Sequence, residues 1–236
     1  MRRKFIQVEH MNIQMSNWTR LCTGTVLLAA LPLLAYGQNL TQQLHSAARA
    51  FDSNAVQNAL DLGVAVDAHD AYNWTALMLV AAVHAPTPEQ SEAAARLLIE
   101  AGADVNARSL DGWSPLHFSG ALGNNPTMVE ILLSAGANIE ARTMETWSAE
   151  MTLVRYTGEQ RLQRSIGPSM ATGSDIGYTP LMAAAKFGKP ELVKALLTAG
   201  ADTGARDERN RRACDYIRGR NELANSNLSE LLCRDE

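Results

Sequence analysis

The chain repeats itself, and no other property limits its fold as much. An aromatic residue, then Thr or Ser, then Pro or Ala, then Leu occurs at Trp74-Thr75-Ala76-Leu77, Trp113-Ser114-Pro115-Leu116 and Tyr178-Thr179-Pro180-Leu181. Each is followed some twenty residues on by Glu100-Ala101-Gly102-Ala103-Asp104, Ser134-Ala135-Gly136-Ala137-Asn138 or Thr198-Ala199-Gly200-Ala201-Asp202. Self-similarity at this period predicts an array of small units that must stack to bury an apolar face none could bury alone. Two further positions recur in phase. Asn73, Gly112, Gly177 and Asn210 stand two residues before the Thr/Ser position or its equivalent, and Gly63, Gly102, Gly136 and Gly200 close the second segment of each unit. Gly and Asn tolerate positive φ. The first set therefore reads as left-handed turn residues at a finger tip, the second as left-handed helix C-caps.

This pattern resembles the ankyrin repeat, whose signature is a T-P-L-H turn, two short helices, then G-A-D and a finger-like loop. The resemblance covers roughly residues 41–225 and implies an all-α ankyrin solenoid of helix-turn-helix units with β-hairpin-like fingers. About five units are expected, at 41–72, 73–111, 112–142, 177–209 and 210–236, the outer two being degenerate caps. Gln42, Gln43, Gln57 and Asn58 give the first unit the polar outer face that a terminal unit needs. Departures from the family pattern are Ala76 and Ala213 in place of Pro, a stretched helix-to-helix link around Pro86 and Pro88, and a break in the third finger. Arg142 and Gly177 are 35 positions apart, whereas Arg108 and Gly112 are four apart, so an insertion of 31 residues falls within 143–176. Met151–Tyr156 is β-prone, Thr157-Gly158-Glu159 is turn-like, and Arg161–Ile166 could return, which describes a long finger extension or else a short helix. Insertions in repeat proteins map to one face, often the binding face.

Residues 1–37 carry Arg2, Arg3, Lys4 and Arg20 ahead of an apolar run, Val26 to Ala35, and end in Ala35-Tyr36-Gly37. That order is expected of a secretory signal peptide, with translation starting at Met1, Met11 or Met15. The apolar run is shorter than the about 20 residues a bilayer span needs. The expected product is an exported bacterial-type protein comprising residues 38–236, periplasmic or extracellular, with no stable membrane insertion. Without the leader, 17 basic residues face 24 acidic ones, a balance that argues against general nucleic-acid binding. Cys214 and Cys233 remain; they either pair in an oxidising compartment, or Cys214 packs as a small apolar residue.

No catalytic constellation is present. His45 and His117 hold equivalent repeat positions, where the resemblance implies a bond to the turn backbone, and His69 and His84 lack neighbours at metal-ligand spacing. No G-x-S-x-G elbow or phosphate-cradling loop occurs, and neither a metal nor a cofactor is expected. Asp104, Asp202 and Asp207 are turn residues. Arg209, Arg211, Arg212, Arg218 and Arg220 give the last unit a basic, solvated face. Family members mostly bind proteins, so the resemblance implies a non-enzymatic, monomeric module of the cell envelope that holds a protein partner on its concave face and third finger. Trp147, Arg155, Tyr156, Arg161 and Arg164 are the expected contacts in the insertion, being residue types enriched in hot spots. Trp74, Trp113 and Tyr178 are expected to serve both the finger stem and the partner. An enzyme or small-ligand binder built around 143–176 is the alternative.

Overall fold

Helix starts are written into the recurring motif. The computed structural model describes residues 40–70, 72–110, 112–123, 125–143, 176–217, 220, 223 and 227–233. Thr75 Oγ1 accepts from Met78 N at 3.4 Å and Thr179 Oγ1 from Met182 N at 3.3 Å, so each hydroxyl satisfies one of the orphan donors of a helix N-terminus. Proline in the first turn, as at Pro115 and Pro180, lacks the N–H that would be orphaned there. Ala76 replaces that proline without loss of the helix, because the threonine cap remains.

The described helices are α1 (residues 40–50), α2 (Ser53–Asp61), α3 (Ala76–Ala82), α4 (Pro88–Glu100), α5 (Pro115–Leu122), α6 (Pro126–Ser134), α7 (Pro180–Phe187), α8 (Pro190–Thr198), α9 (Ala213–Tyr216) and α10 (Asn227–Leu232). They form two layers. Inner helices α3, α5, α7 and α9 pack in sequence against one another, and outer helices α2, α4, α6 and α8 do the same. Leu77, Leu116 and Leu181 of the motif are buried in the core between the layers, as are Leu98, Leu132 and Leu196 of the outer helices. Each outer helix ends on a glycine with φ between 87° and 92°. A Schellman-type pair follows, such as Gly136 N to Leu133 O at 3.0 Å and Ala137 N to Leu132 O at 2.9 Å. No strand occurs among the described residues; the fingers expected to resemble β-hairpins are turns.

The inner layer leaves little of itself in view. Every residue of α3 and α5 is buried, and in α7 only Lys186 and Phe187 are partly exposed. Trp74, Trp113 and Tyr178 are buried too, which corrects the expectation that they serve a partner. Phe118 lies between the two tryptophans: its ring centroid is 4.3 Å from that of Trp74 in the preceding unit and 5.2 Å from that of Trp113 in its own, so Trp74 is covered by the next unit. Tyr178 is met edge-on by Tyr216 at 4.9 Å.

The last unit corrects a second expectation, because two of its arginines are structural. Arg211 Nε donates to Asp207 Oδ2 at 2.9 Å, its NH2 stands 2.8 Å from the same oxygen as an ion pair, and its guanidinium lies 4.8 Å over the Tyr216 ring. Arg220 donates to the carbonyls of Ala185 (2.8 Å) and Gly188, closing the C-terminal end of α7. Cys214 and Cys233 form a disulfide with a Cα–Cα separation of 5.1 Å.

Candidate functional site

Between units the chain forms a row of fingers that carry exposed residues such as Tyr72, Leu110, Arg142 and Arg206. Every finger closes on the same three bonds. In the second, Ser109 N donates to Trp113 O at 2.9 Å, Gly112 N to Ser109 O at 2.9 Å, and Trp113 N to Ser109 Oγ at 3.0 Å. Asp70 does the same for Trp74 and Asn73, and Asp207 for Arg211 and Asn210. The tip residue takes positive φ in all four: Asn73 60°, Gly112 74°, Gly177 80° and Asn210 60°.

The third finger keeps these bonds across its insertion. Thr143 N donates to Tyr178 O at 3.0 Å, Gly177 N to Thr143 O at 3.0 Å, and Tyr178 N to Thr143 Oγ1 at 2.9 Å. Thr143 therefore fills the position of Asp70, Ser109 and Asp207. Ile176 is held from the next finger by Glu208 N at 3.3 Å, as Tyr72 is held by Leu110 N at 3.1 Å. The expected 143–176 insertion thus narrows to residues between Thr143 and Ile176, which replace part of a two-residue tip. Trp147, Arg155, Tyr156, Arg161 and Arg164 lie outside the described residues.

Two ladders tie the fingers together. At the finger roots, Asp104 N donates to Asp67 Oδ1 at 3.0 Å, Asn138 N to Asn106 Oδ1 at 2.8 Å, and Asp202 N to Glu140 Oε1 at 2.8 Å. Gly204 holds the equivalent place in the last finger and has no side chain with which to continue. Burial, with Asp202 close by, raises the Glu140 carboxyl above its ordinary value, although the Asp202 N–H opposes the shift. Nearer the tips, Arg108 NH1 donates to Gly112 O at 2.7 Å and Arg142 O at 3.1 Å; Arg142 NH1 donates to Gly177 O at 3.1 Å and to Arg206 O. Arg206 NH1 donates to Asn210 O at 2.9 Å. In the first finger His69 stands in the arginine position, and Asn73 Nδ2 supplies the bond to Arg108 O. This arginine ladder was missed at sequence level. Its only signal was the recurrence of Arg after Ala at Ala107, Ala141 and Ala205.

His117 ties the inner layer to the fingers. Its Nδ1 accepts from Ser114 N at 3.2 Å and approaches Ser114 Oγ at 2.8 Å, which leaves Nε2–H to donate to Tyr178 O at 3.0 Å. Burial pushes its pKa down to about 3, so the ring is neutral. His45 Nε2 meets Ala68 O at 2.9 Å in the first unit. These are fastenings of turn backbone. Among the described residues no three His, Cys, Asp or Glu side chains converge as metal ligands, and no helix is long and apolar enough to cross a membrane.

Stacked helix pairs, glycine-capped outer helices and laddered fingers form one pattern, and comparison with family models finds it twice. Residues 44–143 match ankyrin repeats in three copies, and residues 176–208 match a single ankyrin repeat. The chain belongs to the ankyrin repeat family. The gap between the two matches is the third-finger insertion. No curated protein is detectably similar to the ankyrin chain. Ankyrin repeats generally mediate protein–protein interaction, and the finger row is an exposed surface of the array. Its first two fingers carry exposed apolar side chains, Tyr72 at 43% and Leu110 at 58% of full exposure, on residues joined by a backbone bond.

Proposed function

We propose that this ankyrin protein is an exported, non-enzymatic interaction module that grips a protein partner along its finger row, with the residues inserted in the third finger taking part. The observation that carries the reading is the intact turn between Thr143 and Gly177. An expansion launched from a finger tip, with the stack undisturbed beneath it, adds contact surface without altering the scaffold. Tyr72 and Leu110 supply apolar surface on the neighbouring tips, and tyrosine is among the residue types enriched at binding hot spots. With α3 and α5 fully buried, the concave side contributes chiefly through the fingers and through Lys186 and Phe187 at the end of α7. The same reading gives a monomer of the cell envelope, in the periplasm or outside the cell, with no affinity for nucleic acid. The apolar run after the basic start and the Cys214–Cys233 pair both suit passage into an oxidising compartment.

The test is chemical crosslinking and affinity capture from envelope extract, using the full chain beside a form lacking 144–175. A protein held by the first and lost from the second supports the third finger as the grip. Equal capture moves recognition to Tyr72, Leu110 and the remaining fingers. No capture on either bait, with the protein found in the cytoplasmic fraction, would sink both the partner and the export.

A further inference from the structure

We infer that the finger row recognises an acidic, extended segment of its partner through Arg108, Arg142 and Arg206, held one per unit along the ladder. The inference rests on the protein-binding reading above and adds the chemistry of the partner. Each guanidinium is fixed by a carbonyl of its own finger, and Arg108 and Arg142 also bridge to the next finger. That use falls on NH1 alone. A guanidinium has five N–H donors, so the Nε and NH2 donors of each arginine keep no bond to any other described residue.

None of the three forms an ion pair with a described carboxylate, in contrast to Arg96 with Glu92 and Arg211 with Asp207. Asp104 and Glu140 act on Arg108 and Arg142 only as neighbouring charges. Arg142 and Arg206 are exposed and Arg108 is partly exposed. A row of oriented, un-neutralised forks at one repeat spacing fits carboxylates spaced along an extended chain, because guanidinium and carboxylate pair through two parallel bonds. Little side-chain freedom is left to lose on binding, since the carbonyl bonds have already ordered the arginines. The exposed Tyr72 and Leu110 at one end of the row offer an apolar anchor beside the charges. A polyanionic nucleic acid would also meet the arginines, and competition by an oligonucleotide separates it from an acidic peptide.

The experiment selects peptides from a random display library on the full chain, then measures fluorescence anisotropy of the enriched peptides with Arg142→Gln/Arg206→Gln and Arg142→Lys/Arg206→Lys. Enriched peptides should carry recurrent Asp or Glu. Their binding should weaken as salt rises, and the Gln pair should lower it by about tenfold while the Lys pair retains more. Thermal melts of both pairs identify any loss that comes from unfolding. Enrichment of peptides without acidic residues, or of acidic ones indifferent to both substitutions, would overturn the arginine row and leave protein binding standing. Equal loss in the Gln and Lys pairs would assign the arginines a structural role only. Displacement by a single-stranded oligonucleotide at equal concentration would transfer the row to nucleic acid. No enrichment at all would overturn the wider reading as well.

Discussion

Ser119 and His117 are neighbours on α5, both buried polar residues, and they carry opposite predictions. Ser119 Oγ is buried with no hydrogen-bond partner, and its counterparts in adjacent units are Val80 and Ala184. A buried unsatisfied hydroxyl is a cost, so Ser119→Ala should be neutral or stabilise by up to about 1 kcal/mol in urea unfolding. His117 is fully bonded and neutral. Its folded pKa lies near 3, below the ordinary histidine value near 6.5 in the unfolded chain. The unfolded state thus takes up a proton that the native state refuses as pH falls below 6.5. Stability from this residue is full above pH 6.5 and declines towards pH 3, by at most roughly 1.4 kcal/mol per unit. Urea unfolding at pH 7.5 and 5 should show the decline, and His117→Asn should reduce it; an unchanged slope in that variant would refute the assignment. The residue types at these positions were legible from the T-P-L-H pattern. The burial of Trp74 and Tyr178 was not, because it depends on Phe118 and Tyr216 arriving from the following unit, while Trp113 is met by Phe118 of its own unit.

At the scale of one element, the third finger tests whether the repeat register runs beneath the insertion. The bonds of Thr143 with Gly177 and Tyr178, and of Glu208 with Ile176, match those of the other fingers. Replacing 144–176 with the two-residue tip Leu-Asp of the second finger should leave melting cooperative and the midpoint within a few degrees of the parent. Loss of cooperativity would show that the inserted residues belong to the stack. Counting from Arg142 to Gly177 revealed the surplus in the sequence, because both flanks keep their residue types. Thr143 was harder to recognise as the turn base, since the same bond is made by Asp70, Ser109 and Asp207 with different side chains. Glycine effects divide in the same way. A Cβ at Gly136 (φ 92°) would meet nothing within 4 Å, so Gly136→Ala should cost only the left-handed penalty of about 1–2 kcal/mol. A Cβ at Gly188 would lie 2.1 Å from Gly120 O, backbone against backbone between α5 and the α7–α8 turn. Gly188→Ala should therefore destabilise well beyond Gly136→Ala, which paired thermal melts can rank.

Across the whole array, each unit touches only its neighbours, so a terminal unit is stabilised from one side. The last unit compensates with fastenings that a middle unit does not need. Ile217, Leu223 and Leu232 are buried, Asp207 gathers Arg211 and the Tyr216 hydroxyl, Arg220 closes α7, and Cys214 is bonded to Cys233 across a separation of 19 residues. A loop of that length removes chain entropy from the unfolded state worth roughly 3 kcal/mol. Because the stack is one-dimensional, the loss on reduction should fall first on the unit that owns the disulfide. Amide hydrogen exchange in Cys214→Ser/Cys233→Ser should therefore accelerate through residues 213–233 while α3 to α6 keep their protection. The end of α7 should follow next, since the Ala185 and Gly188 carbonyls lose their guanidinium when the segment carrying Arg220 loosens. Equal acceleration in every unit would mean that the array opens as a single cooperative body, and the disulfide would then stabilise the molecule as a whole instead of its end.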